Sequence, residues 1–502
     1  GDAKVAGAAT ITGAGSVGGF LDVSDLGTTS DTPVTIDANG NRVLSLGTEF
    51  SGAAGSVVTG HSSNVASGQG ATVSGGGYDD GSTVEPNKAT GDSSTVGGGR
   101  GNEATGLRSL VAGGAANLAD SDYSTVGGGV SNEVYDEYGT IAGGLGNTAG
   151  TDGGDNRTNA TVGGGDGNTA SGNSSVVAGG RSNVASGLDS TISGGYDNVA
   201  NSGKATVGGG TENKARANRA TVGGGMSNQA DGNDATVAGG NGNDATATEA
   251  SVVGGRGNEA TGEASFVGGG EFNDATGEFA TIAGGGPAVP SSPTVTNNIV
   301  HDNYGTIGGG GGNVAGASGS TTAIFATVGG GKENEATAQN ATVSGGTSNS
   351  VTGVQATVGG GYGNTANDDY ATVAGGDENN ALGRRATVGG GDQNRATNEE
   401  ATVAGGFDNI ATGNAASVLG GENNGAGGDG AVVVGGISNS ANGDHSLAAG
   451  QYALAVDNHA FVWSDGSGDS DGAGSTTDQF SSSTIDGTSA VTGPETFQVK
   501  AK

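Results

Sequence analysis

Ala205-Thr206-Val207-Gly208-Gly209 returns upstream as Ser94-Thr95-Val96-Gly97-Gly98 and downstream as Ala386-Thr387-Val388-Gly389-Gly390, in one register that runs from Val58 to Ala448. Successive copies mostly stand 15 residues apart, as at Val96, Val111, Val126 and Ile141. The register holds 25 copies, and a period sustained for so long marks stacked repeats, each leaning on the next, in place of a few globular domains.

Each position of the repeat carries its own chemistry. The Val slot, exemplified by Val96, Val111, Val207, Val222 and Val388, is preceded by a residue that is usually Thr, and before that by Ala, Ser or Gly. β-Branched residues favour a pleated surface, so this is a strand, and the small alternate residue predicts a face pressed against something else. Gly follows two residues after the slot, where a sharp corner needs a residue without Cβ. Asn stands six residues after it, as at Asn102, Asn117, Asn213, Asn228 and Asn394. Asn tolerates left-handed backbone, and stacked copies can form an amide ladder. Ala eight residues after the slot reads as a second, short inward-facing strand. The expected fold is an all-β parallel solenoid of about 25 coils of 15 residues, a rod about 120 Å long at the ~4.8 Å spacing of paired strands.

One Val and one Ala per coil is little burial to set against ordering fifteen residues. A single thin roll is therefore expected to need partners, and the Ala/Ser row two before the slot offers a face on which three copies could pack into a homotrimer.

Composition bounds the function. The chain has 111 Gly, 6 Pro and no Cys, with 52 acidic against 18 basic residues and a net charge of −34. Such an acidic surface excludes nucleic acid and anionic membranes as partners and suits a saline, halophilic setting. No apolar run is long enough for a membrane span, so direct membrane insertion is not expected. Gly strings lack the Lys-Ser/Thr of a phosphate loop. Asn156, Asn159, Asn173 and Asn340 begin glycosylation sequons, which a chain rich in Asn and Thr produces by coincidence.

Residues 1–55 read as an N-terminal β cap or docking element, with a hairpin signal at Asn39-Gly40, residues 56–457 as the repeat domain and 458–502 as a C-terminal cap. Insertions near 77–92, 149–158, 286–304 and 315–324 must leave as loops, and loops carry binding. Within the third, Pro287, Pro290, Pro293, His301 and Tyr304 form the candidate receptor contact. Asp465, Asp469 and Asp471 have the alternate oxygen spacing that suits a hard cation such as Ca²⁺, although the closing Glu of a Ca²⁺ loop is missing. No other cofactor and no catalytic group is expected.

The stretch Ala220-Thr221-Val222-Gly223-Gly224-Gly225-Met226-Ser227-Asn228-Gln229-Ala230 resembles the YadA-like head repeats of trimeric autotransporter adhesins, which also occur in phage tail-fibre proteins. The resemblance covers roughly residues 55–456 and implies a left-handed β-roll, a trimer and adhesion. Familiar heads commonly repeat every 14 residues, and neither their heptad stalk nor their membrane-barrel anchor is evident in this chain. Ala460-Phe461-Val462-Trp463-Ser464-Asp465 resembles the segment that closes such repeats in phage fibres. The expected function is an extracellular attachment fibre of a cell surface or virion that presents loops to a receptor or glycan. A self-assembling filament or sheath is the alternative, ahead of a polysaccharide-degrading tailspike or an ice-binding protein.

Overall fold

A computed structural model describes residues 34–38, 41–47, 55–152, 159–292, 296–319 and 324–466. Among these there is no helix, and the repeat forms a parallel β-solenoid of about 26 turns. The chain divides into two units, Gly1–Gly225 and Met226–Lys502. In the first, turns run from Val58 to Val222, and in the second from Val237 to Val462.

Every turn contributes two short strands to two parallel ladders. In the valine ladder Thr357-Val358 pairs with Thr372-Val373, and in the alanine ladder Thr365-Ala366 pairs with Asn380-Ala381. A third line of contact, which the repeat pattern did not reveal, is a parallel bridge four residues after most of the Val slots, as at Tyr362↔Asp377. The backbone is held in both directions. Thr357 N–H donates to Ala371 of the following turn, whereas Gly363 N–H donates back to Thr347 of the preceding one. Nearly complete pairing of this kind is what lets so glycine-rich a backbone persist without a wide core.

The core is four rows deep in residue type. Val358, Ala356, Ala366 and Asn364 are each fully buried, as are their counterparts in neighbouring turns. The Ala/Ser row therefore lies inside the chain's own interior, where Ala205, Ala220 and Ala386 have no exposed surface. It is not the outward packing face that the sequence suggested, because the strand's pleat turns it inward together with Val.

Asn is the polar centre of the interior. Asn364 Nδ2 donates to the corner carbonyls of Gly360 and Gly376 at 2.8 Å each, and to Asn349 Oδ1 at 3.1 Å. Its own Oδ1 accepts the backbone N–H of Asn379 at 2.9 Å. The amide ladder is thus present, but in the regular turns the left-handed residue is the one before the Asn, such as Glu378 (φ 51°) and Gln393 (φ 58°). A second left-handed position, three before the Val slot, holds residues as bulky as Tyr370 and Arg385. The second corner Gly is the position that cannot change: a Cβ on Gly361 (φ +93°) would collide with the carbonyl oxygen of Gly376.

At the start of the first unit, β1 (Val34–Ala38) and β2 (Asn41–Gly47) pair antiparallel, bearing out the predicted hairpin, whose Asn39-Gly40 lies outside the described residues. β2 also pairs antiparallel with β3 (Ser56–Val58), the first strand of the solenoid. At the other end, Phe461–Asp465 pairs parallel with Leu447–Gln451, so one more turn follows Ala448, within the region the sequence assigned to the cap.

The insertions use two corners. Those after Gly77 and Gly286 leave just before the Asn position and return in register, so that Asn87 and Asn298 complete the amide ladder. The first of them contains an antiparallel pair, Tyr78–Asp79 with Val84–Glu85. Insertions two and four leave after Ala149 and Ala315, at the turn that precedes the valine strand.

Candidate functional site

The candidate receptor residues fall on different parts of the coil. Pro287 and Pro290 lie in the loop at the Asn corner, and Pro293 lies outside the described residues. His301 and Tyr304 belong instead to the regular turn beyond it. His301 is half-buried just after the alanine strand, and its burial holds the imidazole below its ordinary value. Tyr304 occupies the left-handed position before the valine strand and stacks between Phe279 and Phe325, with ring centroids 4.9 and 5.0 Å apart. A similar stack joins Tyr123 and Tyr138 in the first unit. Proline spacing suggested a single loop because sequence adjacency hides which corner of the coil a residue occupies.

Of the cation candidates, Asp465 lies in the last strand, and Asp469 and Asp471 lie outside the described residues. Among the described residues no group of three or more His, Cys, Asp or Glu is arranged to hold a metal ion.

Sequence reasoning missed two buried carboxylates. Val134-Tyr135-Asp136-Glu137-Tyr138-Gly139-Thr140-Ile141 in the first unit matches Val300-His301-Asp302-Asn303-Tyr304-Gly305-Thr306-Ile307 in the second. In both, Gly replaces the small inward Ala or Ser, and the Asp is almost fully buried. A Cβ on Gly305 would overlap the Asp302 carboxylate, which occupies the space an alanine methyl fills elsewhere. Asp302 Oδ2 accepts the backbone N–H of Ala326 at 2.9 Å. In a regular turn that N–H would find a carbonyl three residues back, as Ala341 finds Ala338. At Ala326, which follows a six-residue insertion, the carboxylate from the preceding turn accepts that N–H instead. Burial pushes the Asp302 carboxyl up to about 6. The signal for this device was in the sequence: Gly139 and Gly305 break the Ala/Ser row one turn before each six-residue insertion.

The outward surface divides into contrasting rows. Residues just before and just after the Val slot face outward on the valine strand, and from Val57 to Trp463 none of them is charged. They are mostly Thr on one side and Gly or Ala on the other. In the second unit the Thr row is unbroken from Thr327 through Thr342, Thr357, Thr372 and Thr387 to Thr402. Towards its end the strip turns apolar, with Leu419, Val434, Phe461 and Trp463 between 41 and 53% exposed. On the alanine strand, by contrast, the outward row holds Lys88, Glu103, Glu133, Lys214, Asp244, Glu259, Asp274, Glu335 and Arg395.

No protein-family model matches this chain. No curated protein matches it in sequence.

Proposed function

We propose that the chain is an extracellular fibrous attachment protein, of the adhesin-head or virion-fibre kind, that works as a homotrimer and presents its insertions to a surface receptor or glycan. The observation that supports this reading is the uncharged strip along the valine ladder. On a chain of net charge −34, a strip that excludes every charged residue from the first turn to the last is best explained by a partner that covers it. Thr, Gly and Ala allow another backbone to come near, and the apolar patch at Leu419, Val434, Phe461 and Trp463 has the character of an interface. The partner that matches the strip rung for rung is a second copy of the same chain. In each unit such a face can close around a rotation axis, and three is the number that the resemblance to adhesin heads implies.

Antiparallel pairing of β2 on β3 supports an N-terminal cap, since it occupies the open edge of the first turn. No helix among the described residues is long and apolar enough to cross a membrane. We read the chain as a binder and not an enzyme, and incubation with surface polysaccharide followed by a reducing-end assay tests that reading.

Sedimentation equilibrium in saline buffer tests the assembly. A mass of three chains is the expected result, and a stable single chain at micromolar concentration overturns it. The unbroken Thr row favours a second reading, a binder of a regular lattice such as ice, for which thermal hysteresis is the measurement.

A further inference from the structure

We propose that a groove on the second unit, crossing the turns from Ser348 to Ile410, is a binding site for a neutral oligosaccharide. The ligand class rests on the attachment reading above. The groove has a volume of about 460 Å³, within the range of small-molecule sites. It exists because Gly363 takes the left-handed position that carries Glu378, Gln393 and Asp408 in the following turns, so the row of side chains has a gap.

Tyr362 borders that gap and is 52% exposed, offering a ring on which the apolar face of a sugar can lie. Beyond it the polar groups are planar amides, carboxylates and a guanidinium, the types that bind vicinal hydroxyls by paired hydrogen bonds. They are partly preorganised: Gln393 Nε2 donates to Glu378 Oε2 at 3.3 Å, and Asn380 Nδ2 donates to the Glu378 carbonyl at 3.0 Å. Arg395 sits in the same groove without an ion pair, whereas the other cations described in this unit, Arg256, Lys332, Arg384 and Arg385, each meet a carboxylate. Arg395 lines the groove together with two carboxylates, Glu378 and Asp408, which outnumber it and disfavour an anionic glycan. A neutral polyol avoids that penalty.

The test applies the intact chain to an array of neutral and sialylated oligosaccharides together with a Lys-rich peptide. Wild type, Tyr362→Ala, Gln393→Ala and a control, Tyr196→Ala, are compared after thermal melting confirms that all are folded. Retention of neutral oligosaccharides is expected, with a loss of about tenfold in Tyr362→Ala, a smaller loss in Gln393→Ala and none in the control. No retention of neutral glycans, binding unchanged in both groove variants, or preference for the peptide would overturn the proposal. Adhesion of wild type to cells that persists in both groove variants would sink the groove and leave the attachment reading standing.

Discussion

The two strands of each turn are built alike on the inside and differ on the outside. Both turn a small or β-branched residue inward, and both are locked by the same Asn between them. Outward, the valine strand shows Thr, Gly and Ala with no charge over its whole length, while the alanine strand tolerates Lys, Glu, Asp and Arg. Intrinsic β propensity does not explain the difference, since both are two-residue strands in parallel ladders. What separates them is what each face meets. The alanine strand's outer row is at most partly buried, so most substitutions on it are cheap. The uncharged row is what the proposed assembly requires of a face that another copy covers.

If the interior is common to both faces, then breaking it should disturb both together. Asn364→Leu removes the donors to Gly360 and Gly376 and the acceptor of Asn379 N–H, leaving buried backbone groups without partners. A loss of about 3 kcal/mol or more in the stability of the second unit is expected in chemical denaturation. A variant with unchanged midpoint would mean that the amide ladder is decorative.

Charge placed on each face in turn sharpens the contrast. Thr357→Asp with Thr387→Asp puts two carboxylates in the uncharged strip, and a buried unpaired charge costs at least ~2 kcal/mol per site, enough to dissociate the assembly. Thr365→Asp, on the alanine strand, should leave the sedimentation mass unchanged. If both variants behave alike, the strip is not an interface.

The fold was readable because a solenoid repeats its instructions: the Val, Gly, Asn and Ala positions recur where the ladders, corners and amide stack lie. Side-chain direction was less readable. The inward placement of the Ala/Ser row follows from the pleat, since residues two apart on a strand share a face with Val. The left-handed sites were misassigned to Asn because the residues that occupy them, such as Glu378, Arg385 and Tyr370, have no compositional signature. Tyr304 and His301 seemed part of a proline loop because ten extra residues near them obscured the register. The Asp302 device needed both the register and the insertion to be seen at once.

Burial of carboxylates sets the pH response. Asp302, Asp274 and Glu259 are all raised, mainly by burial, with the neighbouring Asp274 adding to Glu259. For an acid whose folded value is raised, the stability is fully present below the unfolded value, near 3.8 for Asp302, and is lost as pH rises through about 6. The second unit should therefore melt several degrees higher at pH 5 than at pH 7.5. Relief of general carboxylate repulsion has the same sign, so the diagnostic quantity is the difference from Asp302→Asn. That variant should lose part of the gain between pH 7.5 and 5, and equal gains in both proteins would show that Asp302 does not titrate in this window.

The smallest effect is expected on the water-facing row itself. Lys88 and Glu103 lie opposite each other on the alanine strand with Nζ and Oε1 2.6 Å apart, and both side chains are about 40% exposed. A pair so accessible is screened and gives little, so Lys88→Ala should cost no more than about 0.5–1 kcal/mol, and less at high salt. In a medium salty enough to offset a surplus of carboxylates, the pair should contribute almost nothing, which is why this row can vary from turn to turn. Denaturation midpoints of wild type and Lys88→Ala at low and high ionic strength measure it. A loss as large as that of Asn364→Leu would show that the alanine strand's outer face is under constraint too, and the distinction between the two faces would fail.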